Sequence, residues 1–102
     1  DDRIRDYIVA LVRATRSPRE VGLTEAGHWI AFGASPRATI AFSHAARAVA
    51  FLEGRGFVIP EDVKAIAKDV LRHRILLTYE AEAENVTSET IVERILERVE
   101  VP

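Results

Sequence analysis

The stretch Gly33-Ala34-Ser35-Pro36-Arg37-Ala38 is where residue type and spacing together suggest chemistry. Serine is a favoured helix N-cap, and proline at the first helical position has its φ preset and gives up no needed donor. Taken by itself this is an ordinary helix start with an arginine facing water. The functional alternative is that a capped, proline-stiffened first turn holds the Arg37 guanidinium at a fixed angle. A permanent positive charge placed so rigidly can meet a phosphate brought by another domain.

Other groups capable of chemistry are scattered. The histidines, His28, His44 and His73, are too far apart in sequence for a His-x-x-x-His pair, and no metal site is expected. Glu80, Glu82 and Glu84 alternate with alanine and read as a solvated face, without a partner for acid–base work. The nucleotide cradle Gly-x-x-x-x-Gly-Lys-Ser/Thr does not occur, nor does Gly-x-Gly-x-x-Gly. With no cysteine there is no thiolate chemistry and no disulfide, which fits a reducing cytoplasm. No nucleophile, base and orienting group can be assembled, so the chain is not expected to be an enzyme by itself.

The elements that would position Arg37 follow from apolar periodicity. The 102 residues, 48% apolar and 29% charged, suit one globular domain. Apolar stretches break well before the roughly 18 residues of a spanning helix. Asp1-Asp2-Arg3 opens directly into an amphipathic pattern without an initiator or leader, which suggests a piece of a longer polypeptide. Ile4, Tyr7, Ile8, Leu11 and Val12 predict a helix over 1–16, stopped at Ser17-Pro18. Residues 19–33 read as a connector with one short helix, capped by Thr24 and reaching Trp29.

A long helix is predicted from Ser35-Pro36, with Ala38, Phe42, Ala45, Val49 and Leu52 inside and Gly54 and Gly56 ending it. Pro60-Glu61-Asp62 starts another, burying Val63, Ile66, Ala67, Val70 and Leu71, with Arg72-His73-Arg74 at its carbonyl end. Residues 75–84 stay open between a short strand and a frayed helix. As a strand, their partner would be 57–59, in a two-stranded ribbon. Thr87-Ser88 caps a last helix with Ile91, Val92, Ile95, Leu96 and Val99 inside. The expected fold is all-α in the main, a small bundle of four principal helices with room for that ribbon (57–59 with 75–80).

Four segments read together resemble the C-terminal lid of the MoxR family of AAA+ ATPases: Gly33-Ala34-Ser35-Pro36-Arg37-Ala38, Phe51-Leu52-Glu53-Gly54-Arg55, Phe57-Val58-Ile59-Pro60-Glu61-Asp62-Val63 and Val70-Leu71-Arg72-His73-Arg74-Ile75. The tail Tyr79-Glu80-Ala81-Glu82-Ala83-Glu84 is similar to that family too. The likeness is close over residues 33–102 and looser before. It implies that residues 1–102 are a single lid domain beside a nucleotide-hydrolysing core that lies outside them. By position in the family motif, Arg37 is the sensor-2 arginine, contacting the γ-phosphate of ATP and passing the nucleotide state on as a lid rotation. Ser35, His44, Arg72 and Arg74 are candidate supporting residues.

ATP and Mg2+ would belong to the parent, with none bound to this piece alone. The resemblance further implies partnership with the chain's own core, with neighbouring subunits of a hexameric ring and with client proteins whose maturation or metal insertion is aided. One departure is Ile59, where the family often has threonine; it cannot cap the next helix through a side-chain oxygen, so a weaker helix start is expected. The competing reading is a free-standing helical adaptor or nucleic-acid-binding module, in which Arg13, Arg16 and Arg19, or Arg72 and Arg74, form a basic patch. A net charge of −2 provides no overall field for nucleic acid or membrane.

Overall fold

The computed structural model describes residues 2–102. Helix α1 (Asp2–Arg16) buries Ile4, Tyr7, Ile8, Leu11 and Val12 on one face, as their spacing predicts, and Thr15 continues that face inward. Asp1, where this helix was expected to open, lies outside the described residues. A single 3-10 turn (Pro18–Val21) follows. The short helix α2 (Ala26–Trp29) ends where expected but starts without a hydroxyl cap, because Thr24 offers its carbonyl, not its side chain, to the Gly27 N–H (3.3 Å). Strand β1 (Ile30–Phe32) continues from it.

Helix α3 (Ala38–Leu52) begins two residues later than Pro36, the position expected to open it. Pro36 and Arg37 form a turn in which the N–H groups of Ala38, Thr39 and Ile40 donate to carbonyls three residues back (2.9, 3.1 and 3.0 Å). This tighter 3-10 pattern is common at helix ends. Inside lie Ala38, Phe42, Ala46 and Ala50, while Ala45 and Val49 are half-buried. Leu52, expected in the core, is 83% exposed, because the helix ends there and the chain turns away. Gly54 makes that turn at φ 78°, its N–H donating to the Phe51 carbonyl and the Arg55 N–H to the Ala50 carbonyl. Gly56, expected to share this role, does not adopt positive φ.

Helix α4 (Pro60–Leu71) returns along α3 and buries Val63, Ala67, Val70 and Leu71, with Ile66 half-buried. Its start corrects the weakness expected from Ile59. The Asp62 carboxylate reaches back to accept the Ile59 N–H (2.9 Å) and also pairs with Arg55, so one acid does the work of the missing hydroxyl.

The ribbon exists with a different partner from the one expected. Strand β2 (Leu76–Leu77) pairs antiparallel with β1, Ile30 opposite Leu77 and Phe32 opposite Leu76, with an irregular register between them. Residues 57–59 cannot serve, because they lie at the start of α4 and β2 follows its end, about 18 Å away for twelve helical residues. The ambiguity of 75–84 resolves as both alternatives in succession. After β2, Thr78 caps helix α5 (Tyr79–Ala83), its hydroxyl accepting the Ala81 N–H (3.2 Å) and donating to the His28 carbonyl (2.7 Å). Helix α6 (Ser88–Arg98) is capped by Thr87, as expected, and buries Ile91, Val92 and Ile95.

The four long helices share one core, centred on Leu11, Phe42, Val63, Leu71, Ile91 and Ile95, each contributing about 1.5–3 kcal/mol by burial. Trp29 fastens α2 to it: the Arg94 guanidinium lies 5.2 Å from the ring centroid and the indole N–H donates to Glu84 (3.3 Å). Among the described residues no helix is long and apolar enough to cross a membrane.

Candidate functional site

Ser35, Pro36 and Arg37 stand exposed between two buried alanines, Ala34 and Ala38, which peg the turn to the core on either side. The Ser35 hydroxyl accepts the Arg37 N–H (3.1 Å), so the serine caps this turn as its type suggests, although regular helix begins only at Ala38. The Arg37 guanidinium has no ion-pair or hydrogen-bond partner among the described residues. The first turn of α3 holds no acid. A cation at the positive end of a helix macrodipole is unfavourable by itself and becomes favourable when an anion joins it.

The approach to this turn is constrained as tightly as the turn itself. The Ala34 N–H donates to the hydroxyl of Thr15 (2.8 Å), which in turn donates to the Val12 carbonyl (2.7 Å). A methyl on Gly33 would lie 2.3 Å from the Thr15 carbonyl oxygen, so glycine is required where the chain crosses the end of α1. Sequence reasoning missed Thr15; a hydroxyl on an otherwise apolar helix face was the available signal. An open groove of about 460 Å³ runs from Gly33 along Thr15, Ser17 and Gly27, with Arg16 and Arg19 at its edge.

Of the supporting candidates, Ser35 is the one hydrogen-bonded to Arg37 among the described residues, through the Arg37 backbone N–H. His44 is exposed two turns along α3. The α3–α4 hairpin returns Arg72 and Arg74 to the end of the bundle where α3 starts. Both are committed locally: Arg74 donates to the Val70 carbonyl (2.7 Å), closing the end of α4, and Arg72 lies 3.7 Å from Asp69. Arg13 is likewise paired with Glu20 (2.8 Å). Among the described residues no cluster of three metal-ligating side chains forms.

The second unanticipated pair is Arg55 with Asp62, which joins two of the motif segments quoted above. Asp62 is 3% exposed, and its partner's guanidinium is mostly covered. The pair locks the α3–α4 turn at the end of the bundle away from Arg37.

A small helical bundle with a two-stranded ribbon is the architecture of the lid domains that accompany AAA ATPase cores. The family model described as AAA lid domain matches residues 22–95, and the chain belongs to that family. Several of its relatives are MoxR proteins. It is 46% identical over 97 residues to Chaperone MoxR1 of Mycobacterium tuberculosis, covering 95% of this chain and 26% of that one. It is 42% identical over 79 residues to Protein MoxR of Paracoccus denitrificans, covering 74% and 23%. The crystal structure of a putative ATPase from Cytophaga hutchinsonii superposes with a TM-score of 0.96 at 45% identity, over 100% of this chain and 31% of that one. The chain thus spans between a quarter and a third of the length of most relatives it matches.

Proposed function

We propose that this domain is the C-terminal lid of a MoxR-type ATPase and that Arg37 is its sensor-2 residue, meeting the γ-phosphate of ATP held with Mg2+ by the core. The observation that carries the reading is the solitary guanidinium of Arg37 on a pinned, acid-free helix start. Such a group is ready for a phosphate, and its charge stabilises the transferring phosphoryl group as negative charge develops there. The lid supplies one part of a site completed by the core, and its rotation reports hydrolysis to neighbouring subunits of a hexameric ring. The work done is chaperone-like maturation or metal insertion of client proteins in the cytoplasm. The name of Chaperone MoxR1 supports the chaperone part of this role.

In the full-length ATPase, Arg37→Ala should lower turnover by about tenfold or more, the worth of one charged hydrogen bond of roughly 1.5–3 kcal/mol to the transition state. Lid stability should move by less than about 0.5 kcal/mol. Turnover at the wild-type level removes Arg37 from the site. Titration of ATP into the isolated chain, followed by NMR, should leave most amides unmoved; a micromolar complex that hydrolyses ATP overturns the lid reading.

A further inference from the structure

Thr15 is a polar residue with no exposure at all, set in the apolar face of α1. Its single hydroxyl is used in both directions, donating to the Val12 carbonyl and accepting the Ala34 N–H. Such a group is held by its bonds as much as by packing. From Ala34 to Arg37 every backbone unit is then fixed in turn. Ala34 is buried, Ser35 caps the Arg37 N–H, and the ring of Pro36 sets its own φ. One residue upstream, Gly33 lies against the Thr15 and Arg16 backbone so closely that no side chain fits.

We infer that Thr15, with Gly33 as the close-approach partner of its backbone, is a positioning residue for Arg37: it ties the last turn of α1 to the turn that carries the guanidinium. This rests on the reading of Arg37 as the phosphate-sensing group. A guanidinium at the tip of a long side chain amplifies any tilt of the turn beneath it. Thr15 therefore sets where that charge stands when the lid closes, and α1 and the Arg37 turn move as one body. The residue touches neither nucleotide nor core; it acts through Ala34.

The test is a double-mutant cycle in the full-length ATPase, with kcat and KM for ATP read at a temperature where circular dichroism shows each variant folded. Thr15→Val removes the hydroxyl at nearly constant volume. It should lower kcat by about five- to tenfold, less than the roughly hundredfold that a full one-ångström misplacement can cost, with KM changed by less than about twofold. Thr15→Ser, which keeps the hydroxyl, should restore kcat to within about twofold of wild type. With Arg37→Ala already present, Thr15→Val should cost nothing further, because the group it positions is gone.

An equal fractional loss in both backgrounds overturns the inference, since Thr15 would then support the lid in general. So does an unchanged kcat in Thr15→Val. Should Arg37→Ala itself leave turnover at the wild-type level, the sensor reading fails, and a loss in Thr15→Val alone would then mark Thr15 as acting through some other group. If Thr15→Val does not fold, Thr15→Ala removes the same hydroxyl without crowding and carries the same expectations.

Discussion

At Ser35-Pro36-Arg37 the chain leads into a helix with a cation, no acid in the first turn and a guanidinium that meets no carboxylate among the described residues; at Ile59-Pro60-Glu61-Asp62 it opens one with two acids, the second buried, hydrogen-bonded to the Ile59 N–H and paired with Arg55. Pro60 is the first residue of α4, whereas Pro36 sits in the turn two residues ahead of α3. Their electrostatics are opposite. The start of α4 is complete within the domain, since its dipole, donor and charge all find partners. The start of α3 is held rigid by Thr15, Gly33 and Ser35 yet lacks the anion that would balance it. On the proposed function, the stiff and unanswered start is where a phosphate from the core fits, whereas the answered one is architecture.

Removing the internal answer at α4 should have the largest effect. Asp62→Ala leaves Arg55 covered without its carboxylate and frees the Ile59 N–H. It should destabilise the domain by about 3 kcal/mol, the low end for a broken buried pair because Arg55 keeps some solvent access. Urea unfolding measures it, and a change within error would mean that α4 is not internally capped. Gly33→Ala attacks the stiffness of the α3 start. The added methyl has to displace α1 backbone, with an expected loss of about 1–3 kcal/mol in the same assay.

A smaller effect reads the field of the α4 acids. Tyr7 has a buried hydroxyl without a hydrogen-bond partner among the described residues, and its pKa is raised above the ordinary 10.0, first by burial and second by Glu61. The unfolded chain therefore ionises first as pH rises. Stability from this group is fully present below about pH 10 and is lost as pH climbs from there through the raised value. Tyr7→Phe should flatten that alkaline loss, seen by comparing urea midpoints at neutral pH and at about pH 10.5. An unaltered slope would mean that Tyr7 does not carry it. The smallest effect sharpens the contrast most: Arg37→Glu places the favoured charge at the start of α3 and should stabilise the isolated lid by about 0.5 kcal/mol while impairing turnover of the full-length ATPase. A destabilised lid would show that Arg37 has a structural partner after all.

Much of this was legible in the chain itself. The faces of α1, α4 and α6, and the motif around Arg37, follow from spacing and cap chemistry, because helical period and proline geometry are local properties. Leu52 was placed inside because it continues a stripe, and periodicity does not tell where the neighbouring helix stops covering it. Residues 57–59 were paired with 75–80 because both looked extended; the length of the intervening α4, rather than any propensity, sends β2 to Ile30 and Phe32. Thr15 was passed over because a single hydroxyl in an apolar row has meaning only once Ala34 is seen above it.

By itself, then, the order of residues determined the helices, their inward faces and the serine-capped turn bearing Arg37, all of which depend on neighbours within a few positions. Only the folded bundle decided that Thr15 holds Ala34, that Asp62 answers Arg55 and that Arg37 goes unanswered. Those are pairings between elements, and the shape into which α1, α3 and α4 close determines which charges find one another and which do not.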